Sequence, residues 1–415
     1  MDREIINNML GITESYKMPD KLLSVLLNNP TEIFEKFKAI EQDLSYDWFT
    51  DYFQQEQGDR NALKQDFTPV GIAKLLSKIT PNAEVIADYC AGTGGLTISA
   101  WLNNQDSVFV CYELSSRAIP MLLFNLAIRN MCGYVVHGDV LTEQIQQAYK
   151  IERGDIFSNI VKLQNTNEIP KPNLIISNPP YSLPWSNVSE FANDKRFKDY
   201  TLPPKNKADY GFVLTAMNNI ETHGKAFFIL PHGVLFRGAS EGKIRQKLID
   251  NNLIDTIIGL PDKMFLNTDI PICILVLNTN KADANIFFID SSKECYHKGK
   301  NNYFSDKDID TISSVCKLRK DVDKLSHVAT LQEIQENDYN LNIPRYVDTY
   351  EPEQLPDVAT QFKELIGIEE QIKKANAEII NMFNELYCTN ADVEKEWSEI
   401  KQGLSKLSEV KYGRK

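Results

Sequence analysis

The sequence lacks the features of a membrane or secreted protein. It has no apolar run of the ~18 residues that a membrane-spanning helix needs. Its first residues do not form the basic and then apolar segment of a signal peptide. Its seven cysteines are widely spaced and include no Cys-x-x-Cys pair, so a disulfide framework and a zinc knuckle are both disfavoured. We therefore expect a cytoplasmic protein with free thiols and no membrane contact.

The sequence also has fewer basic than acidic residues. Lys and Arg number 45 against 57 Asp and Glu, so the 415-residue chain carries a formal charge of −12. This negative net charge argues against a protein that binds DNA non-specifically over its whole surface. One local basic cluster could still contact phosphate: Lys195, Arg196, Lys198, Lys205 and Lys207. Four acidic residues between positions 190 and 209 nearly cancel it, so a solvated loop is an equally good interpretation.

The sequence shows no pattern of metal ligands. Its five histidines are scattered along the chain and none has metal-ligand spacing. We predict structural or surface roles for all of them and no bound metal: His137, His223, His232, His297 and His327.

From residue 68 onward, short β-rich runs alternate with helical stretches. The β-rich runs predict strands at 85–89, 108–113, 134–139, 174–178, 226–230, 256–260 and 272–277, with a further candidate at 286–289. Helices are predicted at 70–79, 95–103, 115–131, 208–222 and 240–252. This alternation implies right-handed crossovers and a mostly parallel sheet covered on both faces. Residues 261–271 can form only a loop, so the strands that flank it are predicted to be antiparallel.

Both ends of the chain are predicted to be helical. Apolar residues recur near helical spacing in the first 62 residues, where an aromatic cluster at 48–53 is expected to pack in a core. Near the other end, apolar residues fall seven apart over about four repeats, which is typical of a coiled-coil-like helix. This heptad stripe comprises Val358, Leu365, Ile372, Ile379 and Leu386.

A glycine-rich turn follows the first predicted strand: Asp88, Tyr89, Cys90, Ala91, Gly92, Thr93, Gly94 and Gly95. Glycines let a ligand lie against bare backbone, and the start of the next helix offers free N–H groups. The turn has neither the glycine spacing of dinucleotide enzymes nor the Lys-Ser/Thr of a P-loop. Glu113 and Asp139 end the next two strands, so we expect them to share with Asp88 the carboxyl edge of the sheet, where ligands bind in open α/β sheets.

The most specific signal follows the buried strand at 174–177: Asn178, Pro179, Pro180 and Tyr181. Two prolines remove two N–H donors and stiffen the loop. A stiff loop can present the Asn178 amide oxygen and the Pro179 carbonyl together, and both could accept hydrogen bonds from one exocyclic amino group. Tyr181 offers a flat face on which a base could stack, worth ~1–3 kcal/mol.

Together these motifs resemble an amino-group (N6-adenine) DNA methyltransferase, more narrowly the modification subunit of a type I restriction–modification system. The segment Asp66, Phe67, Thr68 and Pro69 resembles the extra cofactor motif of that family, and residues 209–212, 258–261, 270–277 and 339–346 resemble its later motifs. The likeness covers roughly residues 63–350. The Asn-Pro-Pro-Tyr motif alone is shared with RNA and protein-glutamine methyltransferases, but the full set is much more specific.

The resemblance implies a Rossmann-like α/β fold, the class I S-adenosylmethionine-dependent methyltransferase fold with a seven-stranded, mostly parallel sheet. An N-terminal helical region and a C-terminal helical, coiled-coil-like extension would flank it. We predict four parts: a helical region at 1–62, the catalytic domain at 63–280, a mixed appendage at 281–354 and a helical extension at 355–415. The stretch from 140 to 173 is longer than a simple crossover needs.

The resemblance also implies S-adenosylmethionine as cofactor and assigns roles to residues. Glu113 would bind the ribose hydroxyls and Asp139 the adenine amino group, while Asp88 and the 92–94 turn would face the methionine end. Thr68 and Pro69 would close over that end. The complete cofactor set is Phe67, Thr68, Pro69, Asp88, Ala91, Gly92, Thr93, Gly94, Gly95, Glu113, Asp139 and Asn178. The catalytic set is Asn178, Pro179, Pro180 and Tyr181.

The expected function is methylation of a flipped-out adenine in DNA. The alternatives are a methyltransferase that acts on RNA or on a protein glutamine, and an inactive scaffold of the same fold. A C5-cytosine enzyme is disfavoured because the chain has no Pro-Cys dipeptide. About 70 residues of mixed appendage and about 60 of helix follow the last hairpin strand, whereas a base-reading domain typically needs ~100 residues or more. We therefore predict that a separate specificity subunit reads the DNA and docks, at least partly, on residues 355–388. A restriction subunit is a further expected partner.

Overall fold

The computed structural model describes residues 1–56, 67–185, 188–265, 270–350, 357–387 and 393–407. The chain divides into two compact units, Met1–Thr349 and Tyr350–Lys415. Asp66, Cys388 and the predicted domain boundaries at 62 and 354 lie outside the described residues. The four-part division therefore stays a prediction.

The first unit begins with four helices: α1 (Arg3–Leu10), α2 (Met18–Asn28), α3 (Thr31–Ile40) and α4 (Thr50–Glu56). The predicted aromatic cluster at 48–53 is buried. The ring centroids of Trp48 and Phe49 lie 6.4 and 5.2 Å from that of Phe124, which belongs to a helix on the central sheet, and Phe53 packs against Phe67 at 5.5 Å. The packing role predicted for the cluster is confirmed. The N-terminal helices therefore share one hydrophobic core with the sheet.

The described residues form an eleven-stranded sheet and a separate two-stranded hairpin. The sheet strands are β1 (Val85–Tyr89), β2 (Val108–Glu113), β3 (Cys132–Asp139), β4 (Gln144–Glu152), β5 (Asn159–Lys162), β6 (Leu174–Ser177), β7 (Lys225–Pro231), β8 (Ile254–Gly259), β9 (Ile272–Asn278), β10 (Ile286–Asp290) and β13 (Ser326–Ala329). The hairpin pairs β11 (Tyr296–Lys298) with β12 (Asn301–Tyr303). The later helices of this unit are α5 (Val70–Ile79), α6 (Gly95–Asn103), α7 (Ile119–Ile128), α8 (Asp209–Asn219), α9 (Gly233–Phe236), α10 (Ala239–Asp250), α11 (Asp306–Leu318) and α12 (Leu331–Glu336).

The strand order is β13-β10-β8-β9-β7-β6-β1-β2-β3-β4-β5. All seven predicted strands are present at the centre, and the predicted antiparallel pairing of the two that flank the 261–271 loop is confirmed, with Ile257 opposite Leu275. The sheet is wider than seven strands because others extend it at both edges. On one side, β4 and β5 form an antiparallel meander that accounts for the long 140–173 stretch. On the other side lie β10, also predicted, and β13.

Parallel pairing brings four strand ends to one edge. Tyr89 lies opposite both Tyr112 of β2 and Ser177 of β6, and Glu113 lies opposite His137 of β3. The residues that follow β1 and β6, and the acids that end β2 and β3, therefore meet at the carboxyl edge of the sheet. This edge is the location that the sequence predicted for the site.

The second unit contains the long helix α13 (Val358–Glu385) and the helix α14 (Glu394–Leu407). The Phe383 and Trp397 rings stack at 5.6 Å and join the two helices. The predicted heptad residues lie on α13 or directly after it, and none of its described side chains is buried. In the described part of the chain, no helix has both the length and the hydropathy that crossing a bilayer requires.

Candidate active site

A cavity of about 800 Å³ opens at the carboxyl edge of the sheet. This volume falls within the ~300–1,000 Å³ range of small-molecule sites. Most of the residues predicted for the site line it: Phe67, Thr68, Ala91, Gly92, Gly95, Glu113, Asp139, Asn178, Pro179, Pro180 and Tyr181. Four predicted residues, Pro69, Asp88, Thr93 and Gly94, are not on its wall. The structure thus brings two separately predicted sets, the cofactor motif and the Asn-Pro-Pro-Tyr loop, to one cavity.

The glycine turn bends sharply between β1 and α6. Gly92 and Gly94 have φ angles of +60° and +105°, which side chains other than glycine rarely adopt. A Cβ atom at Gly94 would also approach the Leu122 side chain to 3.0 Å. The turn is tied to the next strand because the Ala91 N–H donates to the Tyr112 carbonyl at 2.9 Å. Conformation therefore favours glycine at both positions, and at Gly94 the limited space does so as well.

Glu113 is held rigidly against this turn. Its Oε2 accepts a 2.8 Å hydrogen bond from the Gly92 N–H, and its Oε1 accepts one of 2.7 Å from the Ser115 N–H. Only 6% of the residue is exposed, and this burial raises the pKa of Glu113 while the two N–H donors oppose the rise. A carboxylate has about four lone-pair sites, so Glu113 can still accept from a ligand hydroxyl.

Asp88 lies behind the wall rather than on it. The Thr97 hydroxyl donates to its Oδ2 at 2.6 Å, whereas Oδ1 is buried without a hydrogen-bond partner among the described residues. Burial, with the nearby charge of Glu113 as a smaller cause, raises the pKa of Asp88 to about 7. A buried oxygen without a donor is costly, so this position favours a ligand or a proton that can satisfy it.

Asp139 and its neighbours form another wall of the cavity. The Asp139 Oδ1 accepts a 2.8 Å hydrogen bond from the Leu141 N–H, which fixes the carboxylate at the end of β3. Val140 and Leu141 line the cavity beside it. This wall combines one anchored carboxylate with apolar surface, an arrangement suited to a flat ring that carries an amino group.

The Asn-Pro-Pro-Tyr loop holds its amide in a defined orientation. The Asn178 Nδ2 donates to the Thr68 hydroxyl at 2.9 Å, and the Tyr181 hydroxyl donates to the Asn178 Oδ1 at 2.8 Å. The strand before the loop is anchored as well, because the Ser177 hydroxyl donates to the Tyr89 carbonyl. Asn178 therefore links the segment that carries Thr68 to the aromatic end of the loop.

A buried ion cluster that no sequence pattern predicted anchors the far end of this loop. Asp209 accepts a 2.9 Å hydrogen bond from the Ser182 N–H and lies 3.2 Å from the Arg237 guanidinium. Arg237 also pairs with Glu241 at 3.0 Å. Asp209 stands in the predicted 209–212 motif, but its two partners come from α10 and the residues before it. The cluster fixes the residue that follows Tyr181.

Two further residues at the site were also missed: one packs behind a wall residue and the other lines the cavity. The Phe265 ring packs edge-on against Tyr181, with centroids 5.9 Å apart. Thr50, at the start of α4, lines the cavity although the whole N-terminal region was predicted only as a helical part. Neither residue belongs to a recognisable local pattern, because each reaches the site through long-range packing.

The basic cluster predicted near residue 200 does not act as a unit. Arg196 is almost fully buried, lies 2.6 Å from Asp194 and donates to the Leu141 carbonyl at 2.7 Å. Its interpretation as a phosphate contact or as part of a solvated loop is wrong, because its charge is used inside the fold. Within the described ranges, no group of three or more His, Cys, Asp or Glu residues could hold a metal ion.

The site can be compared with known proteins. The family model described as N-6 DNA Methylase matches residues 43–354. The MjaVIII methylase subunit of a type I restriction enzyme from Methanocaldococcus jannaschii is 30% identical over 77% of this chain and 55% of its own length. The MpnII methylase subunit from Mycoplasma pneumoniae is 30% identical over 80% of this chain and 62% of its own length. The chain thus spans little more than half the length of these curated relatives.

Solved structures agree with the curated relatives. The methyltransferase subunit of a type I restriction–modification system from Streptococcus thermophilus is 30% identical, with a TM-score of 0.64 over 83% of this chain and 74% of that chain. The EcoKI M protein is 17% identical with a TM-score of 0.53 over 88% of this chain and 87% of that chain, which shows the shared fold. The fold is the predicted class I S-adenosylmethionine-dependent methyltransferase fold. The chain belongs to the N-6 DNA methylase family, among the methyltransferase subunits of type I restriction–modification systems.

Proposed function

We propose that this chain transfers a methyl group from S-adenosylmethionine to the N6 amino group of a flipped-out adenine in DNA. The observation that carries the proposal is the shared cavity. The anchored amide of Asn178 and the stiff Pro179–Pro180 segment line the same 800 Å³ space as Glu113, Asp139 and the glycine turn. The proposed methyl-donor pocket and the proposed pair of amine acceptors thus share one cavity.

The residues present fit the cofactor. Glu113 keeps lone pairs for the two ribose hydroxyls, and Asp139 stands beside apolar wall residues that suit the adenine ring. The unpartnered Oδ1 of Asp88, behind the glycine turn, is an unused acceptor near the place proposed for the cationic methionine end. Bound S-adenosylmethionine would supply a methyl group activated by a positively charged sulfur. Thr68 and Phe67 would cover that end of the cavity.

The catalytic loop would stabilise the transition state through its acceptors. Asn178 Oδ1 and the Pro179 carbonyl would accept the two N6–H groups of the target adenine, which frees the nitrogen lone pair from the ring. Positive charge moves onto this nitrogen as it attacks, so its N–H groups become stronger donors and the same two hydrogen bonds tighten. The methylated nitrogen then loses one proton to water, which leaves a neutral secondary amine. The Asn178 oxygen already accepts from the Tyr181 hydroxyl, and an amide oxygen can accept two hydrogen bonds.

Flipping the adenine out of the duplex costs a few kcal/mol. Stacking on an aromatic face recovers ~1–3 kcal/mol of that cost. Tyr181 would provide the face, and its hydrogen bond to Asn178 and its edge contact with Phe265 keep the ring in place. The loop thus combines a platform for the base with acceptors for its amine.

We propose further that the chain works in a complex. Relatives are named as methylase subunits of type I restriction enzymes, and the exposed heptad stripe on α13 is a surface for a partner helix. The proposed partners are a specificity subunit that reads the DNA and docks on residues 355–388, and a restriction subunit in the nuclease form.

Labelled-methyl transfer with the full chain and its specificity subunit tests the proposal. Duplex DNA should accept label at adenine N6, whereas matched RNA and a glutamine-containing peptide should not. Glu113→Ala should weaken cofactor binding by roughly 10- to 100-fold, because charge-assisted hydrogen bonds contribute ~1.5–3 kcal/mol. An unchanged dissociation constant would remove Glu113 from the ribose role, and label in RNA or peptide alone would overturn the DNA substrate.

A further inference from the structure

A polar junction joins the N-terminal helical region to the glycine turn. Its centre is Asp47, which lies three residues before the first residue of α4. The residues that meet it from the methyltransferase fold are Thr93, in the glycine turn, and Asn125, in α7, and both are buried. No local sequence pattern predicts this junction, since Asp47 is 46 residues from Thr93 and 78 from Asn125.

The Asp47 carboxylate accepts four hydrogen bonds. Its Oδ1 accepts from the Phe49 N–H at 2.9 Å and from the Asn125 Nδ2 at 2.6 Å. Its Oδ2 accepts from the Thr50 hydroxyl at 2.7 Å and from the Thr93 hydroxyl. All the acceptor sites of the group are therefore used, and two of its donors come from outside the N-terminal region.

Asn125 and Arg129 complete the junction. The Asn125 Nδ2 also donates to the Thr93 carbonyl at 2.8 Å, so both the side chain and the backbone of Thr93 are held. The Arg129 guanidinium donates to the carbonyls of Leu44 at 2.8 Å and Tyr46 at 2.5 Å, and to that of Asn125 at 2.7 Å. The 44–50 segment is thus bonded to α7 at several points.

Two residues connect the junction to the cavity: Thr93 in the glycine turn and Thr50 in the N-terminal region. Thr93 lies between Gly92 and Gly94, and the Gly92 N–H is the group that holds Glu113. Thr50, the other donor to Asp47 Oδ2, is itself a cavity wall residue. A single carboxylate oxygen therefore connects the glycine turn to a wall residue from the N-terminal region.

We propose that Asp47 is a positioning residue for the cofactor pocket. Through Thr93 it holds the glycine turn in the shape that leaves the Gly92 N–H on Glu113. Through Thr50 it makes the N-terminal region part of the pocket. This inference rests on the proposed use of S-adenosylmethionine.

Calorimetric titration of the full chain with S-adenosylmethionine tests it. Asp47→Ala and Thr93→Val should each raise the dissociation constant about tenfold or more, since each removes a charge-assisted hydrogen bond. Thr93→Ser, which keeps the hydroxyl, should stay within about twofold of the wild type. The double variant should bind no more weakly than the weaker single variant, because the two side chains act through one contact. Asp43→Ala, which removes an exposed carboxylate from the same segment, should bind like the wild type.

A merely structural role makes different predictions. It would lower the melting temperature while folded protein kept its affinity, and Thr93→Ser would behave no better than Thr93→Val. In the complex with the specificity subunit, Asp47→Ala should raise KM for the cofactor and leave kcat at saturation nearly unchanged. An unaltered dissociation constant in folded Asp47→Ala, or an additive double variant, overturns the inference. If Asp47→Ala does not fold, the dissociation constants of Thr93→Val and Thr93→Ser test the inference instead, and equal values for the two variants overturn it.

Glu113→Ala separates this inference from the proposed function. If the wild type binds cofactor and Glu113→Ala weakens it while the Asp47 and Thr93 variants do not, only the positioning role fails. If the wild type itself does not bind S-adenosylmethionine, the proposed function fails with it.

Discussion

Asn178 is the side chain on which the proposed chemistry depends most directly. Its amide donates to Thr68 and accepts from Tyr181, so its oxygen is oriented before any substrate arrives. Such preorganised groups need no rearrangement in the transition state. Truncation of the Asn178 side chain should therefore lower the rate of methyl transfer much more than it weakens the binding of the cofactor.

We expect Asn178→Ala to lower the rate of methyl transfer by 10²–10³ or more, by analogy with the loss of one oxyanion-hole donor. Cofactor affinity should stay nearly intact because the role proposed for Asn178 is to bind the target amine. Single-turnover transfer and calorimetry measure the two effects. Asn165→Ala, the same truncation at an exposed turn, is the control. Lost cofactor binding in a folded Asn178→Ala protein would contradict this assignment.

Asp88 should make stability depend on pH. Burial raises its pKa from 3.8 to about 7, so between these values the folded protein holds a proton that the unfolded chain has released. The free energy of unfolding should therefore fall as pH rises from about 4 to about 7, by a few kcal/mol at most. Asp88→Asn cannot titrate and can still accept from Thr97, so its profile should be flatter. Urea unfolding at several pH values measures both slopes, and parallel profiles would refute the prediction.

At the scale of elements, the catalytic loop depends on the cluster of Asp209, Arg237 and Glu241. The two acids are almost fully buried, and the single guanidinium of Arg237 pairs with both. Removing one partner of a buried ion pair typically costs ~3–5 kcal/mol, because the other charge remains unpaired. Because Asp209 also accepts from the Ser182 N–H, we expect part of this loss of stability to come from a weaker hold on the Ser182 backbone.

We predict that Arg237→Met destabilises the protein by about 3 kcal/mol. Adding Asp209→Asn should restore part of this loss, since the amide removes a stranded charge and its oxygen can still accept from the Ser182 N–H. Urea unfolding of the two single variants and the double variant measures the coupling. If the losses in free energy of unfolding of the two single variants add up to that of the double variant, the two groups do not interact.

The central strands could be predicted because each is a buried apolar run. The burial of β8 and β9 is continuous along their lengths, which is typical of strands covered on both faces. The edge strands gave a weaker signal. β4 begins with exposed polar residues and only its second half is buried, while β13 has four residues. Such strands form because neighbours offer hydrogen bonds, and single-sequence patterns do not reveal those neighbours.

The same distinction applies to the candidate site. Glu113, Asp139 and Asn178 were predictable because each follows or ends a recognisable strand, and parallel strands share an edge. Asp47, Thr50 and Arg237 were not, because each reaches the site from an element far away in the sequence. Asp88 was predicted for the cofactor site, but the burial that separates it from the cavity wall could not be derived from its motif.

At the scale of the whole molecule, the second unit presents an apolar stripe that its own helices do not cover. Leu365, Ile372 and Ile379 remain 53, 41 and 42% exposed, although they repeat at heptad spacing. Exposed stripes of this kind mark interaction surfaces. Because the first unit carries the cavity, the stripe should serve partner binding and leave the site intact when altered.

We therefore predict that glutamates at Leu365, Ile372 and Ile379 release the specificity subunit without unfolding the catalytic unit. Each would place an unpaired charge in an apolar seam, which is costly to bury. Glutamates at Ala377 and Asn384, on another face of α13, should leave the complex bound. Co-purification of the two subunits measures release, and cofactor titration checks the cavity.

The isolated chain should bind cofactor yet methylate DNA poorly and without sequence selectivity, because the reading of bases is assigned to the partner. Efficient, sequence-specific methylation by the isolated chain would refute this division of labour.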